Sequence, residues 1–246
     1  MIGQHKLQRF ISNIAVAEEI PTEINLMLTG KAGLGKSHSI KWIANALSKY
    51  PDLDDCIEHH PRLATIELAE RYDEVPMHIV DEVHQLERFE PFYRFMETHF
   101  FLVATNIPED LPEAFRTRCI NLVLENYTKE ELGQIVREKY GFDAVTTLNL
   151  VTRSRGTPRD ILQMASVINI NPNSDLEALG YFEGGYRSED YLYINYMKKV
   201  GSSSLGRIAA GTNLDSTLIQ EFIEPFLLEK GIISITNRRN LNEVRI

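Results

Sequence analysis

Residues 30–37 read Gly-Lys-Ala-Gly-Leu-Gly-Lys-Ser and match G-x-x-x-x-G-K-[ST] at every fixed position. Such a loop has one productive setting, between the end of a buried strand and the start of a helix. Both flanks fit. Residues 24–29 (INLMLT) are a short apolar run, and 36–47 place Ile40, Ile43, Ala44 and Leu47 at helical spacing. In that setting the backbone N–H groups of Gly30, Lys31, Ala32, Gly33, Leu34 and Gly35 wrap phosphate oxygens. The helix N-terminus, with Ser37 and His38 in its first turn, adds its positive end. Lys36 is the candidate cation for the β- and γ-phosphates, and the Ser37 hydroxyl is the candidate Mg²⁺ ligand. The alternative, a glycine-rich turn with an incidental lysine, does not explain the flanking strand and helix.

Further strand-like runs follow at 56–60, 77–80, 100–105 and 120–124, with helical segments expected at 63–70, 87–98 and 112–117. Alternation of this kind predicts an α/β layered domain with a mostly parallel sheet. The run 77–80 delivers Asp81 and Glu82 at its C-terminal end. Behind a phosphate loop, Asp81 suits the Mg²⁺ shell and Glu82 suits the polarisation of an attacking water. Glu82 is the residue that separates a hydrolase from a passive nucleotide binder. His84 reads as a solvated turn residue, and Phe89, Phe92, Tyr93 and Phe95 as a core-packing cluster on a helix face.

From Tyr127 onward the pattern changes to helices. Thr128 with Glu131 three residues later is a capping box that opens a helix to about Tyr140, where Gly141 stops it. Helices are expected at 143–154 and at 158–168, the second with proline in its first turn. The prolines and glycines of 169–185 mark a candidate boundary. Beyond it come helices at 189–200, 205–210 and 215–229, then a hairpin turning around 237–240. Three helices and a terminal hairpin are the order of a winged helix-turn-helix.

Charge is distributed unevenly. The 26 basic and 35 acidic residues give a net charge of −9, which argues against a surface that coats nucleic acid indiscriminately. From Tyr196 to the end, however, seven basic residues face five acidic ones, so that segment carries +2 and the remainder −11. A local nucleic-acid contact through Arg238 and Arg239, at the expected hairpin tip, is compatible with this balance. The two cysteines, Cys56 and Cys119, are too few for a disulfide framework or a zinc site. No apolar run approaches a membrane span, and no signal peptide is visible. A cytoplasmic protein is expected.

Asp81-Glu82-Val83-His84, Ala104-Thr105-Asn106 and Phe115-Arg116-Thr117-Arg118-Cys119 together resemble the motifs of an AAA+ ATPase. Other stretches resemble one branch of that superfamily, the RuvB Holliday-junction branch-migration motors. These are Ile2-Gly3-Gln4, Tyr127 with Glu130-Glu131-Leu132, the string from Arg153 to Arg159 (RSRGTPR), and Ile223-Glu224-Pro225-Phe226-Leu227 followed by Gly231 and Arg238-Arg239. The resemblance spans almost the whole chain, and RSRGTPR is its most specific piece. It implies an AAA+ nucleotide domain over 1–125, a helical lid over 126–185 and a winged helix over 186–246. It also implies ATP with Mg²⁺ as ligands, and a homo-oligomeric ring or helical assembly, a hexamer in the first instance, acting on DNA. By the same resemblance Asn106 is sensor 1 and Arg118 the arginine finger, with Arg116 as its competitor. Arg159 is sensor 2, and Ile2, Tyr127, Ile135 and Pro158 line the adenine pocket.

The sequence also departs from the family. RuvB proteins carry a β-hairpin between the Asp-Glu strand and sensor 1 that docks RuvA. Here only a helix and a strand separate Glu82 from Asn106, so a RuvA-type partner is not expected. The chain starts at the Ile2-Gly3-Gln4 motif, so a less enclosed adenine pocket is expected. Arg118-Cys119 is also similar to the Ser-Arg-Cys string of clamp-loader subunits. Two functions of different class follow: an ATP-driven DNA motor, or an ATP-switched loader that assembles on DNA or a partner machine without translocating.

Overall fold

The computed structural model describes residues 2–17, 24–50, 53–60 and 75–242. The chain divides into two units, one of residues 1–135 with 157–159, the other of residues 136–156 with 160–246.

The first unit is built on a five-stranded parallel sheet. Its strands, β1 (Asn25–Thr29), β2 (Cys56–His59), β3 (Met77–Val80), β4 (Phe100–Thr105) and β5 (Ile120–Val123), lie in the order β2-β3-β4-β1-β5. The central strands are buried on both faces, which is why they read as unbroken apolar runs. Alternation along them feeds two separate cores. Leu26, Leu28, Leu102 and Ala104 pack with Leu7 and Ile11 of α1 (His5–Ala15) and with Ile40, Ile43 and Leu47 of α2 (Lys36–Leu47). Met27, Phe101 and Val103 point oppositely, onto Phe92, Met96, Leu111 and Phe115. Phe92 is buried and Phe89, Tyr93 and Phe95 pack around it, as expected for a core cluster.

The helix expected at 87–98 is shorter, α3 (Glu90–Phe95), because Pro91 fits only in a first turn and the chain must extend to enter β4. A single turn, α4 (Glu113–Arg116), precedes β5. Between Val80 and Phe100 there is no strand, which agrees with the absence of an inserted hairpin. The helix expected at 63–70 lies outside the described residues.

Helices α5 (Lys129–Tyr140), α6 (Ala144–Arg153) and α7 (Pro158–Ile170) follow. The capping box forms as read: Thr128 Oγ1 accepts the Glu131 N–H at 3.2 Å, and the Glu131 carboxylate accepts the Thr128 N–H at 2.8 Å. The second unit ends in α8 (Ser188–Val200), β6 (Ser202–Ser203), α9 (Leu205–Thr212), α10 (Ser216–Leu218), α11 (Glu224–Glu229), β7 (Ile233–Ile235) and β8 (Arg239–Leu241). The single helix expected at 215–229 is interrupted by a π-turn over Ile219–Ile223. Pro225 explains it, since proline supplies no N–H and its ring crowds the preceding turn. The terminal hairpin forms, and β6 joins it in the order β6-β8-β7. That third strand has only two residues, too few to show an alternating pattern. The core of this region is Tyr193, Ile194, Met197, Ile208, Ile219, Ile223 and Leu227.

Candidate functional site

Strand register brings the first unit's polar motifs to one edge. Thr29 pairs with Thr105, so Gly30 and Asn106 are the next residues on adjacent strands β1 and β4. Val80 pairs with Val103, so Asp81 follows on the neighbouring strand β3. Strands about 4.8 Å apart therefore deliver the phosphate loop, Asn106 and the two acids to the carboxyl end of one parallel sheet.

Within the loop, Lys36 is buried at 6% exposure, and its Nζ donates to Gly30 O at 2.8 Å and Lys31 O at 3.2 Å. Burial lowers its pKa, with Arg159 acting in the same direction and Glu82 and Asp81 opposing. Ser37 and His38 are exposed in the first turn of α2. Gly33 has φ +83°, and a Cβ there would stand 3.0 Å from Thr157 Oγ1 and 3.2 Å from Arg159 Cβ. Only glycine fits that backbone and that space. The Arg159 N–H donates to Gly33 O at 3.3 Å, while Arg159 itself is exposed and Pro158 half-buried.

Asp81 accepts the Glu82 N–H through Oδ1 at 3.0 Å. Glu82 sits in the left-handed region (φ 52°, ψ 48°), uncommon for a residue with a side chain. The expectation for His84 is corrected. Its ring is largely covered, with Nδ1 3.0 Å from Thr105 Oγ1 and 3.5 Å from Glu82 Oε2. The same Thr105 oxygen accepts the Ile107 N–H at 3.1 Å and so fixes the turn that carries the exposed Asn106. Sequence reasoning misses the His84–Thr105 link; the one signal for it is a polar residue closing the apolar run 100–105.

At the other flank, the Gln4 amide doubles onto the backbone of Glu125, donating to O at 2.7 Å and accepting from N at 2.8 Å. This seats Ile2 and Gly3 beside Tyr127: a Cβ on Gly3 would lie 3.0 Å from the tyrosine ring. Ile2, Tyr127 and Ile135 are half-buried. Arg118 and Arg116 are both exposed at the end of α4. Arg118 donates to Ala114 O at 2.7 Å and lies over the Tyr93 ring at 4.8 Å.

In the second unit, the two arginines of the terminal hairpin have different fates. Arg238 is exposed in the turn. Arg239 is not at the tip: it opens β8 and forks onto Glu224, with Nε to Oε1 at 2.8 Å and Nη2 to Oε2 at 3.3 Å. Glu224 is buried at 3% exposure and also accepts the Tyr193 hydroxyl. The partner lies fifteen residues away, so the pairing needs the fold to reveal it.

Among the described residues no group of three or more His, Cys, Asp or Glu could hold a metal ion. The oxygen donors Ser37 and Asp81, at the edge where the phosphate loop opens, are the hard pair that suits Mg²⁺ shared with phosphates. No helix among the described residues is long and apolar enough to cross a membrane.

Residues 183–241 match the model of the RuvB C-terminal winged helix domain. The chain is 28% identical to the Holliday junction branch migration complex subunit RuvB of Campylobacter hominis over 96% of its own length and 83% of that protein. With the RuvB subunit of Orientia tsutsugamushi (strain Boryong) it shares 31% identity over 140 residues, which is 48% of this chain and 43% of that one. The structure of the Thermotoga maritima RuvB Holliday junction branch migration motor superposes with a TM-score of 0.78 at 21% identity, covering 98% of this chain and 93% of that chain.

Proposed function

We propose that this chain, a RuvB-type AAA+ protein, hydrolyses ATP and uses it to act on DNA as a motor in recombination. The observation that carries the reading is the convergence, on one sheet edge, of a lysine held by two backbone carbonyls, an Asp-Glu pair and Asn106. The relatives are named as branch-migration subunits, which favours the motor over the loader.

In this reading residues 30–37 cradle the phosphates, and Lys36 leaves its carbonyl partners for the β- and γ-oxygens. Such an exchange is favourable because a phosphate is a better acceptor for a desolvated ammonium than two carbonyls. Ser37 and Asp81 are the residues that would hold Mg²⁺, and the ion would there neutralise charge on the phosphates. Glu82, at the left-handed residue that follows Asp81, takes the proton of the attacking water. His84 and Thr105 restrain Glu82 and the Asn106 turn relative to one another, and Asn106 orients the water or γ-phosphate. Arg159 follows the γ-phosphate from the segment beside Gly33. Ile2, Tyr127, Ile135 and Pro158 hold the adenine.

Arg118 serves the site of a neighbouring copy in a homo-oligomeric ring or helix. This assigns 1–125 to the nucleotide domain, 126–185 to the lid and 186–246 to the winged helix, with the DNA contact at Arg238. A cytoplasmic location follows from that role.

The test is ATP turnover of the purified chain with no DNA, linear duplex or a four-way junction, alongside junction movement. Turnover should rise with DNA, and the junction should move only with hydrolysable ATP. Turnover indifferent to all DNA would overturn the reading; stimulation without movement would return it to a loader.

A further inference from the structure

The string Arg153 to Arg159 is the most specific stretch of the sequence, yet the proposed function uses only its last two residues. Arg155, which that reading leaves unused, is bound within the second unit in a ring of four charged residues. The Arg155 guanidinium donates through Nη2 to Asp190, and Asp190 Oδ2 accepts the Arg187 N–H at 2.6 Å. The Arg187 guanidinium donates through Nη2 to Asp160, and Asp160 Oδ2 accepts the Arg155 N–H at 2.7 Å. The ring is closed.

Arg155 does more than close it. Its Nε donates to Gly185 O at 3.0 Å and its Nη1 to Phe222 O at 2.9 Å, and the guanidinium stacks 4.5 Å from the Phe226 centroid. Gly185 passes so close that a Cβ there would meet Ser154 O at 3.0 Å. Every one of these acceptors lies within 183–241, the residues that match the winged helix domain. Arg187 returns the contact by donating to Arg153 O at 3.1 Å.

A buried ion pair is a poor device for stability alone, since apolar residues of similar volume serve as well. A planar fork on three fixed acceptors instead specifies one geometry. What it specifies here is the footing of a tripeptide. Thr157 and Arg159 stand against Gly33 of the phosphate loop, and the chain on both sides of the tripeptide, at Arg155 and Asp160, belongs to the ring.

We propose that Arg155 is a coupling residue. Through Asp190, Asp160 and Arg187 it makes the footing of residues 157–159 one body with the first helix of the winged helix domain. A displacement of Thr157–Arg159 by nucleotide at Gly33 is then carried to the domain that touches DNA. This rests on the ATP-and-DNA reading above and names the residues through which the two ligands communicate.

The experiment uses the full chain, comparing wild type, Arg155→Met and the double variant Arg155→Met/Asp190→Asn, which leaves no unpaired buried charge. Duplex affinity is measured with and without a non-hydrolysable ATP analogue, and analogue affinity with and without duplex. Linkage requires the two ratios to be equal, and couplings of this kind are typically about 5–150-fold. The expected result is a wild-type ratio in that range that falls to about 1 in both variants, while each affinity measured alone moves by less than about 2-fold. A domain that had merely become less stable would show weaker single affinities first. A ratio retained in the double variant overturns the proposal.

Amide exchange without any ligand gives a readout that does not depend on the functional reading. Residues 155–160 and the first turn of α8 should be protected together in wild type, and 155–160 should exchange early in the double variant. Unchanged protection there overturns the latch even if ATP and DNA bind. A joint loss of protection in a protein that binds neither ligand upholds the latch and sinks the ATP-and-DNA reading.

Discussion

The two units treat their covered cations, buried in the first and half-buried in the second, in opposite ways. In the first, Lys36 is held by two backbone carbonyls and, among the described residues, makes no ion pair, although Glu82 and Asp81 are near enough to act on its pKa. In the second, Arg155, Arg187 and Arg239 each end on a carboxylate: Asp190, Asp160 and Glu224. A lysine on carbonyls retains charge for an incoming anion. An arginine forked on a carboxylate has committed its charge to the fold. Paired and unpaired cations thus distinguish scaffold from site more sharply than the net charge of either unit. Four measurements test the contrast.

The largest effect is expected at Arg118. Its guanidinium is exposed, donates to Ala114 O and lies over the Tyr93 face, and so resembles Lys36 in making no ion pair among the described residues. An arginine supplied from a neighbouring subunit contributes on the order of 10³–10⁵ in rate to well-studied NTPases. Arg118→Ala should bind ATP and turn it over slower by at least about 10³. Mixed with Lys36→Ala subunits and allowed to exchange, it should regain part of the rate, because those subunits still present Arg118 to intact loops. Full activity of Arg118→Ala alone transfers the role to Arg116, and inactivity without rescue makes Arg118 a residue of its own fold.

Within the loop, binding and chemistry should separate. Lys36→Ala removes the charge that meets the phosphates and should abolish ATP binding in a fluorescent-analogue titration. Glu82→Gln keeps the side chain's shape, loses its basicity and should bind ATP while slowing turnover by roughly 10²–10⁴. Parent-rate hydrolysis by Glu82→Gln would remove it from the chemistry and end its kinship with Lys36.

The second of these predictions rests on residues that are legible because their chemistry is local, whereas the role of Arg118 is read only from the resemblance to the family. Eight consecutive residues specify the phosphate loop, and one apolar run delivers the acids. The ion-paired half of the contrast is not legible. Arg239 of β8 meets Glu224 of α11 across fifteen residues, and Arg155 meets Asp190 across thirty-five. The charge balance of the tail treats Arg238 and Arg239 as equals. The π-turn before Pro225 and the two-residue β6 escape for a different reason: a short element has too few residues to display a period. His84 reads wrongly because its partner Thr105 lies on another strand.

A third measurement uses acid to divide the units. All seven histidines fall between positions 5 and 99, so the second unit, which begins at 136, has none. His59, His78 and His99 are buried together; His59 Nε2 lies 2.8 Å from His78 Nδ1, and His78 stacks on Phe101. Burial, helped by the neighbouring imidazoles, pushes the His78 pKa down to about 4. The unfolded chain takes up this proton near pH 6.5 and the folded chain only near 4. Stability from this group is therefore complete above about pH 6.5 and declines as the pH falls toward 4, by about 3 kcal/mol in total. Denaturant unfolding followed by Trp42, the one tryptophan and a first-unit residue, should show the decline, and His78→Leu should flatten it. Equal slopes for the two proteins would show that the imidazoles do not set this unit's acid response.

The smallest effect is the one that separates adjacent arginines. Arg238 lies exposed in the turn, where its carbonyl accepts the Thr236 N–H at 2.9 Å and its guanidinium makes no ion pair among the described residues. Arg239 is tied to Glu224, which is itself buried and also holds the Tyr193 hydroxyl. Removing a cation that neutralises one phosphate of duplex DNA reduces the slope of log affinity against log salt by about 0.9. Arg238→Ala should therefore make the slope shallower by about 1 and leave thermal unfolding unchanged. Arg239→Ala should do the reverse: the slope holds, while stranding Glu224 in the domain core costs on the order of 3 kcal/mol of stability. A variant Arg239→Ala that keeps its melting temperature and has a shallower salt slope would mean that the ion pair opens on DNA. In that case Arg239 would stand with Lys36, as a cation held in reserve for an incoming phosphate rather than committed to the fold.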